Sequence, residues 1–375
     1  MPKHIRAVHI DSFRGIRNLH LEELAPVNII TGDNNSGKTS VLEVMESLDN
    51  PGSFRMWRSL IRKERFAPVN MGMTPFEGLS GLFPVNGEGM RISYKVDFSD
   101  GTSNGLEVDG STVEESLPVK EMEKLAVMVF HAGDEENDEE NGEKEENVID
   151  VEKLRFSVFL DEELILDSGC YDVQTRFRLE RNINHHLADV NYISPVRHAE
   201  GTVFLNSVLD NPELYEQMIQ VLREFDPGII SINVDNANEK YRRGNIYKIL
   251  SKEHKRALPL NVYGDGMKKA ILLMSAVIRT QGGILLLDEF ETAIHTTAME
   301  KVFRWILETC IKLDVQLFLT THSEEAIDKI LKCSPVLQDK MKVFTLYKKE
   351  DGTVARVLDA RKAIEIKDEM GIELR

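Results

Sequence analysis

Residues 27–39 read VNIITGDNNSGKT, a continuous apolar run that breaks into a polar, glycine-bounded loop. A run of this kind, apolar and largely β-branched, fits a strand buried on both faces. Behind the loop, Val41, Leu42, Met45 and Leu48 recur at helical spacing until Asn50-Pro51-Gly52 ends the pattern. The loop itself fits G-x-x-x-x-G-K-[ST]. Strand, loop and helix in this order predict that Gly32, Asp33, Asn34, Asn35, Ser36, Gly37, Lys38, Thr39 and Ser40 surround a phosphate. Glycines let consecutive backbone N–H groups converge on the anion, and the helix start adds its partial positive charge. Lys38 would place a point charge on β- and γ-phosphates, and the Thr39 hydroxyl would take one Mg²⁺ position. The competing reading is an ordinary glycine-rich turn, which the flanking strand and helix disfavour.

A second α/β stretch follows late in the chain. Met267, Ala270, Ile271, Met274 and Ile278 mark an amphipathic helix, and GILLLD (283–288) a buried strand. Met299, Val302, Phe303, Ile306, Leu307, Cys310 and Ile311 mark another helix, and VQLFLT (315–320) another buried strand. Helices between buried strands predict a parallel sheet with its ligand at the strands' carboxyl ends. Asp288 and Glu289 stand at one such end. Asp288 is placed to hold Mg²⁺ through water, and Glu289 to orient and deprotonate an attacking water. Thr321-His322-Ser323 ends the next strand, with His322 at its tip. Alone, a strand ending in acids or a single histidine is commonplace; the expected neighbouring of these two strands gives them weight. Gly264-Asp265-Gly266 opens the first of the two helices and forms a second anion-binding helix start. One phosphate is not readily enclosed by two such loops of one compact lobe, so this one is expected to serve the nucleotide of a second subunit.

The division expected along the chain is an N-terminal lobe (1–50), a variable region (51–190), a C-terminal lobe (191–345) and an extension (346–375). IRAVHI (5–10) reads as a strand ahead of the loop. In the variable region RISYKVDF (91–98), KLAVMVF (124–130) and RFSVFL (155–160) read as strands between Gly-, Ser- and Asp-rich turns. Residues 134–146, DEENDEENGEKEE, hold nine acidic groups in thirteen positions, a tract predicted to remain solvated and unfolded. FRMWRSLIRKERF (54–66), if helical, sets Arg55, Arg58, Arg62 and Arg65 on one face and Phe54, Trp57 and Ile61 on another. A solvated basic face and a docking surface for phosphate backbone are both compatible with that pattern. After His322 the chain is expected to end in short strands such as KVFTLYKK (342–349) and a charged helix.

Bulk composition narrows the setting. The 375 residues are 42% apolar and 29% charged, as in a soluble globular protein. No apolar run approaches the roughly 20 residues that cross a bilayer, and the N-terminus lacks a signal-peptide core. A cytoplasmic protein without membrane attachment is expected. Cys170, Cys310 and Cys333 are isolated and expected as reduced structural thiols. A net charge of −17 argues against bulk wrapping of nucleic acid but permits a local basic surface. Gly101 to Gly105 matches G-x-S-x-G, yet it lies between two strand-like segments and reads as a hairpin turn, not a nucleophile elbow. His185-His186 has no third ligand in view.

Phosphate loop, Gly264-Asp265-Gly266 turn, Asp288-Glu289 and His322 come in the order of an ABC-type ATPase head. The chain resembles the RecF, SMC and overcoming-lysogenization-defect (OLD) branch of that superfamily. FRGIRN (13–18) is similar to the branch's N-terminal F-R motif, and DEFETAIH (288–295) and TTHSEEAI (320–327) to its OLD-type segments. The resemblance covers about residues 1–50 and 190–345. It implies an α/β head with a parallel core sheet, an N-terminal antiparallel β portion and an inserted β-rich and helical region. It implies ATP and Mg²⁺ as cofactors, with Asp288 supporting the metal, Glu289 as base, His322 as γ-phosphate switch and Gly264–Gly266 as signature acting in trans. Arg14 would lie near the nucleotide. Partners would be a second copy of the chain, or more, closed around ATP, and a separately encoded effector such as a nuclease; direct contact with nucleic acid is optional. The signature departs from the Leu-Ser-Gly-Gly-Gln form, and no glutamine-bearing loop stands out as γ-phosphate sensor. About fifty residues follow His322, fewer than the Toprim nuclease domain of OLD proteins needs, and D-x-D pairs are absent from the sequence. Neither SMC-like heptad arms nor an Asn-Lys-x-Asp guanine motif occurs.

Overall fold

A computed structural model describes residues 3–62, 73–85, 89–126, 148–174, 184–195, 205–235, 246–292, 294, 296–371 and 374. In chain order the first strands are β1 (Ile5–Phe13), β2 (Ile16–Leu21), β3 (Val27–Gly32), β4 (Met90–Phe98) and β5 (Ser103–Pro118). The middle of the chain adds β6 (Val148–Leu160), β7 (Glu163–Tyr171), β8 (Val190–Ile193), β9 (Ile229–Asp235) and β10 (Ile246–Ser251). Next come β11 (Leu258–Pro259), β12 (Ile284–Leu287), β13 (Gln316–Thr320), β14 (Met341–Lys349) and β15 (Gly352–Asp359).

The central sheet has the order β15-β14-β3-β13-β12-β8, and every pairing in it except β14–β15 is parallel. Its inner strands β3, β12 and β13 are buried at every position. The alternation of side chains divides them between two cores. Val27, Ile29, Leu285, Leu287, Leu317 and Leu319 face the helices Pro212–Leu222, Asp265–Arg279 and Thr296–Lys312. Ile30, Ile284, Leu286 and Phe318 face the opposite way, onto the helix Lys38–Glu46 and the N-terminal sheet. The continuous apolar runs in the sequence are thus the mark of a sheet covered on both sides. On the helix Thr296–Lys312, Met299, Val302, Phe303, Ile306, Leu307 and Cys310 are buried, worth roughly 10–20 kcal/mol gross at about 1.5–3 per large side chain.

The second sheet, β2-β1-β4-β5-β6-β7, is antiparallel throughout. Between its strands β2 and β4 the chain passes through β3, so the two sheets are woven together rather than strung in series. A small antiparallel sheet, β11-β10-β9, flanks the helical core.

The antiparallel N-terminal portion and the parallel core agree with the expected fold class. Two local readings change. Lys124 to Ala126, read as the start of a strand, belong to the helix Val119–Ala126, whose Leu125 is buried. KLAVMVF is apolar enough for either state, and periodicity cannot separate them over so short a run. The helix at 54–66 spans only Phe54–Ser59; Arg62 lies beyond it, and Arg65 is outside the described residues. The acidic tract 134–146 and His295 are also outside the described residues. Gly101, with φ 86, lies in the β4–β5 hairpin turn.

Candidate active site

The loop after β3 is shaped by two glycines. Gly32 has φ 136, and a Cβ there would stand 2.4 Å from the Leu346 carbonyl oxygen of β14. Gly37 has φ 106, and its Cβ would stand 2.9 Å from Ile16 Cγ1. Both positions therefore exclude other residues by conformation and by space. Asp33, Asn34 and Asn35 form the exposed tip, while Ser36 turns inward and its hydroxyl has no partner. The Lys38 ammonium donates to the carbonyls of Gly32 (2.7 Å) and Asp33 (2.8 Å), so it lies across the concave side of its own loop. Burial holds its pKa below the usual lysine range, against the pull of Asp288 and Asp33.

Parallel register brings the end of β12 to this loop. Leu287 pairs with Leu319 on one side and Ile193 on the other, and β13 pairs in turn with β3. One residue on, the fully enclosed Asp288 carboxylate accepts from Thr39 Oγ1 at 3.0 Å and from the Tyr192 hydroxyl at 3.1 Å; Thr320 Oγ1 donates to its other oxygen. Buried beside this carboxylate, the Tyr192 phenol is pushed well above its ordinary range, first by desolvation and then by Asp288. Neighbouring vertices of a Mg²⁺ octahedron with 2.0–2.1 Å bonds are about 3 Å apart. The Thr39–Asp288 separation lets both serve one ion, as neighbouring ligands or with Asp288 reaching it through a bound water, so the donor pair fits the metal.

Glu289 is half-buried and has φ 46, a left-handed conformation that costs a β-carbon-bearing residue energy. Its N–H donates to Thr320 Oγ1 at 2.9 Å, and its carbonyl accepts from Lys269 Nζ at 3.1 Å and from the Thr292 N–H at 3.2 Å. His322 follows β13 with an exposed imidazole whose Nδ1 is 3.9 Å from Glu291 Oε1. The Thr321 hydroxyl donates to the same Glu291 oxygen at 2.6 Å, and the other Glu291 oxygen is buried without a hydrogen bond.

Two predicted groups stand apart from this cluster. Gly264 caps the helix Asp265–Arg279, with Gly264 and Asp265 exposed and open space where a Gly264 Cβ would stand. Among the described residues no hydrogen bond or ion pair joins Gly264, Asp265 or Gly266 to residues 32–40; Asp265 pairs with Lys268 at 2.6 Å. Arg14, at the β1–β2 turn, reaches the helix behind the loop instead of its mouth. Its Nε is 2.9 Å from the buried Glu43 carboxylate, and its other nitrogens donate to the carbonyls of Gly81 and Leu60. Arg62 completes the group, donating to both Glu43 oxygens and to Ser40 Oγ.

Sequence reasoning missed Tyr192, Lys269, Glu291, Thr320 and Glu43. Thr320 and Glu291 lie within the quoted motif segments and were passed over; the others have no local signal, because their partners are distant in sequence. Elsewhere, His9, His20 and Glu22 bring metal-ligating atoms within 4.8 Å of one another on β1 and β2. That group is largely exposed, and Lys95 stands directly across from His9 on β4, which opposes a cation there. His186 is occupied by the Asp49 carbonyl and Asp189.

A family described as "AAA domain, putative AbiEii toxin, Type IV TA system" matches residues 27–328. The chain is 25% identical over 343 residues, 86% of each protein, to an ATP/GTP phosphatase of Helicobacter pylori. It is 32% identical over 119 residues to the DNA replication and repair protein RecF of Shewanella sediminis, 30% of this chain and 31% of that one. Its structure is similar to the Smc head domain of Pyrococcus furiosus solved with an extended coiled coil and bound to the C-terminal domain of ScpA. That likeness has a TM-score of 0.50 at 10% identity, covering 99% of this chain and 100% of the other. With four-fifths of its length matched, the chain belongs to this AbiEii-type AAA family and carries the head fold of the SMC and ABC ATPases.

Proposed function

We propose that the protein is an ATPase switch: two copies close around ATP, and hydrolysis reopens them. The observation that carries this reading is the meeting of Thr39 and Asp288, which joins the phosphate loop to the end of β12 at a separation suited to Mg²⁺. In this reading the backbone of residues 32–40 and Lys38 hold the phosphates. Lys38 would exchange its two loop carbonyls for phosphate oxygens. Mg²⁺, held by Thr39 and Asp288, would neutralise charge developing on the transferred group. Glu289 accepts the proton of the attacking water, and His322, held near Glu291, meets the γ-phosphate. The exposed Gly264–Gly266 helix start is the element that completes the other copy's site. Arg14 acts at one remove, by fixing the helix behind the loop through Glu43.

Closing and reopening would be read by a separate effector such as a nuclease, in defence against phage or plasmids. The toxin–antitoxin description of the family supports an output of this kind. Direct DNA binding through residues 54–66, as in a RecF-like repair ATPase, has less support. Phe54, Met56 and Trp57 are buried there, and Arg62 is committed to Glu43 and Ser40.

Glu289→Gln tests the core of the proposal. The amide still orients water but accepts no proton, so hydrolysis should fall by about 10²- to 10⁴-fold while ATP binding persists. The variant should accumulate as an ATP-bound assembly, visible by light scattering with ATP and Mg²⁺. Gly266→Asp, which sets a carboxylate where the γ-phosphate of the other copy would lie, should prevent that assembly. Wild-type turnover by Glu289→Gln, or identical nucleotide-dependent association of both variants, would refute the switch.

A further inference from the structure

Lys269 is a buried cation on the helix that begins at Gly264–Gly266, and it touches the peptide of Glu289. Only 3% of its surface is exposed, in contrast to its neighbour Lys268, which pairs with Asp265 at the surface. Carrying an amine into the interior is costly unless a specific partner repays it. Here the partner is the Glu289 carbonyl, with the Glu291, Glu289 and Asp288 carboxylates supplying a favourable field. Burial lowers the amine's pKa to about 7 in spite of those three charges. Surface solubility does not explain a lysine in this position.

Glu289 needs such a partner. Its φ of 46 is unfavourable for a residue with a side chain, and conformations of this kind persist only where surrounding groups over-determine them. Thr320 fixes the N–H of Glu289 from β13, and Lys269 fixes its carbonyl from the helix Asp265–Arg279. The Thr292 N–H shares that carbonyl at 3.2 Å from within the same turn, so the neighbouring elements that hold the Glu289 peptide are β13 and the helix Asp265–Arg279. One of them is the helix whose free end is open to solvent. From Gly264 to Lys269 is five residues, about 7.5 Å of rigid helix.

We propose that Lys269 is a positioning residue that couples the Gly264–Gly266 helix start to Glu289, so that an anion docking at that helix start sets the aim of the carboxylate. This rests on the reading of Glu289 as base and of Gly264–Gly266 as the element facing a second nucleotide. Under it, hydrolysis is tied to closure: a phosphate at the helix start seats the helix, and the helix seats Glu289 through one hydrogen bond. A lone copy binds ATP with its base held less firmly in line.

The test uses the full chain with Lys269→Met, an unbranched apolar side chain that suits the helix, and Lys269→Arg, which keeps a cationic donor. Labelled-ATP binding and kcat are measured for both, beside Glu289→Gln. Lys269→Met should bind ATP within about threefold of wild type and lose about 10- to 100-fold in kcat, the scale expected when a reacting group shifts by an ångström. Lys269→Arg should recover a substantial part of that loss. Lys269→Gln, whose shorter amide falls short of the carbonyl, replaces the Met variant should the latter fail to fold, with the same expectation. An inactive Glu289→Gln beside wild-type kcat in the folded Met or Gln variant would overturn the coupling alone. Full activity of Glu289→Gln would overturn the underlying reading instead. Equal loss of ATP binding and kcat in Lys269→Met, without recovery in Lys269→Arg, would reduce the lysine to a structural part and also reject the coupling.

Discussion

The two large sheets solve different problems with the same number of strands. In the parallel sheet, β3, β12 and β13 are buried on both faces, and the candidate site residues Lys38, Asp288, Glu289 and His322 follow the ends of these strands. In the antiparallel sheet one face is packed and the other is wet. Leu106 and Val108 of β5 point inward, while Glu107 and Asp109 meet Arg91 outside. Beyond Gly110, β5 and β6 continue pairing as far as Pro118 and Val148, past most of the core. Register is fixed in both sheets, because each strand has at least one buried face. A group at the end of an enclosed strand is in addition packed on both sides, whereas a side chain on the wet face of β5 keeps its outer end in water, and little depends on where that end lies. Substitutions near the strand ends of the parallel sheet should therefore change function or stability sharply, and those on the outer face of the antiparallel sheet should not.

The sharpest expected break is Lys38→Ala. Among the described residues the lysine donates to two carbonyls of its own loop, so its removal leaves both cores untouched. Binding, by contrast, loses at least two charge-assisted hydrogen bonds to phosphate. At about 1.5–3 kcal/mol each, ATP affinity should drop roughly 10²- to 10⁴-fold. Labelled ATP and thermal unfolding of the same preparation separate the two effects. Undiminished binding by a folded variant would remove the phosphate-loop assignment and with it the contrast between the sheets.

Glu43 joins the two regions, and its removal should be the largest loss of stability. It sits on the helix behind the phosphate loop, yet it is clasped by Arg14 from the β1–β2 turn and by Arg62. Burial holds the Arg14 guanidinium below its usual pKa, with Glu43 acting in the opposite sense. In Glu43→Gln that guanidinium stays buried without its counter-charge, which costs about 3–5 kcal/mol for an enclosed pair. Urea unfolding of the variant measures this. A loss under about 1 kcal/mol would mean that the link between the sheets is apolar packing alone.

This division also explains what could be read beforehand. That the loop, Asp288, Glu289 and His322 stand at the ends of buried strands was legible, because each lies in a short contiguous motif at the end of an apolar run. The parallel core followed from the same runs. Lys269 and Tyr192 were not legible: a lysine on a helix and a tyrosine on a short strand are unremarkable until β8, β12 and the helix Asp265–Arg279 are set side by side. Arg14 carried a family expectation, but its preference for Glu43 over open solvent depends on burial that no local pattern reports. Lys124 to Ala126 were misread because an isolated apolar run lacks the period that distinguishes strand from helix; the rest of KLAVMVF, 127–130, is outside the described residues.

The smallest expected effect is Arg91→Gln. Arg91 lies on β4 directly opposite Asp109 of β5, with Glu107 diagonally placed, and its guanidinium contacts both carboxylates. On geometry alone this group looks stronger than the Arg14–Glu43 pair. It differs in exposure: 57%, 44% and 54% of the three side chains face solvent. Water screens their attraction, and ordering three long side chains costs entropy, so such groups contribute about 0.2–1 kcal/mol. Part of that should vanish in high salt, whereas the Glu43 effect should survive it, because a buried pair is screened far less. Urea unfolding of both variants at low and at molar salt makes the comparison. A loss above about 2 kcal/mol in Arg91→Gln, or a Glu43→Gln loss that fades with salt to the same extent, would show that the two sheets do not differ in the way their burial implies.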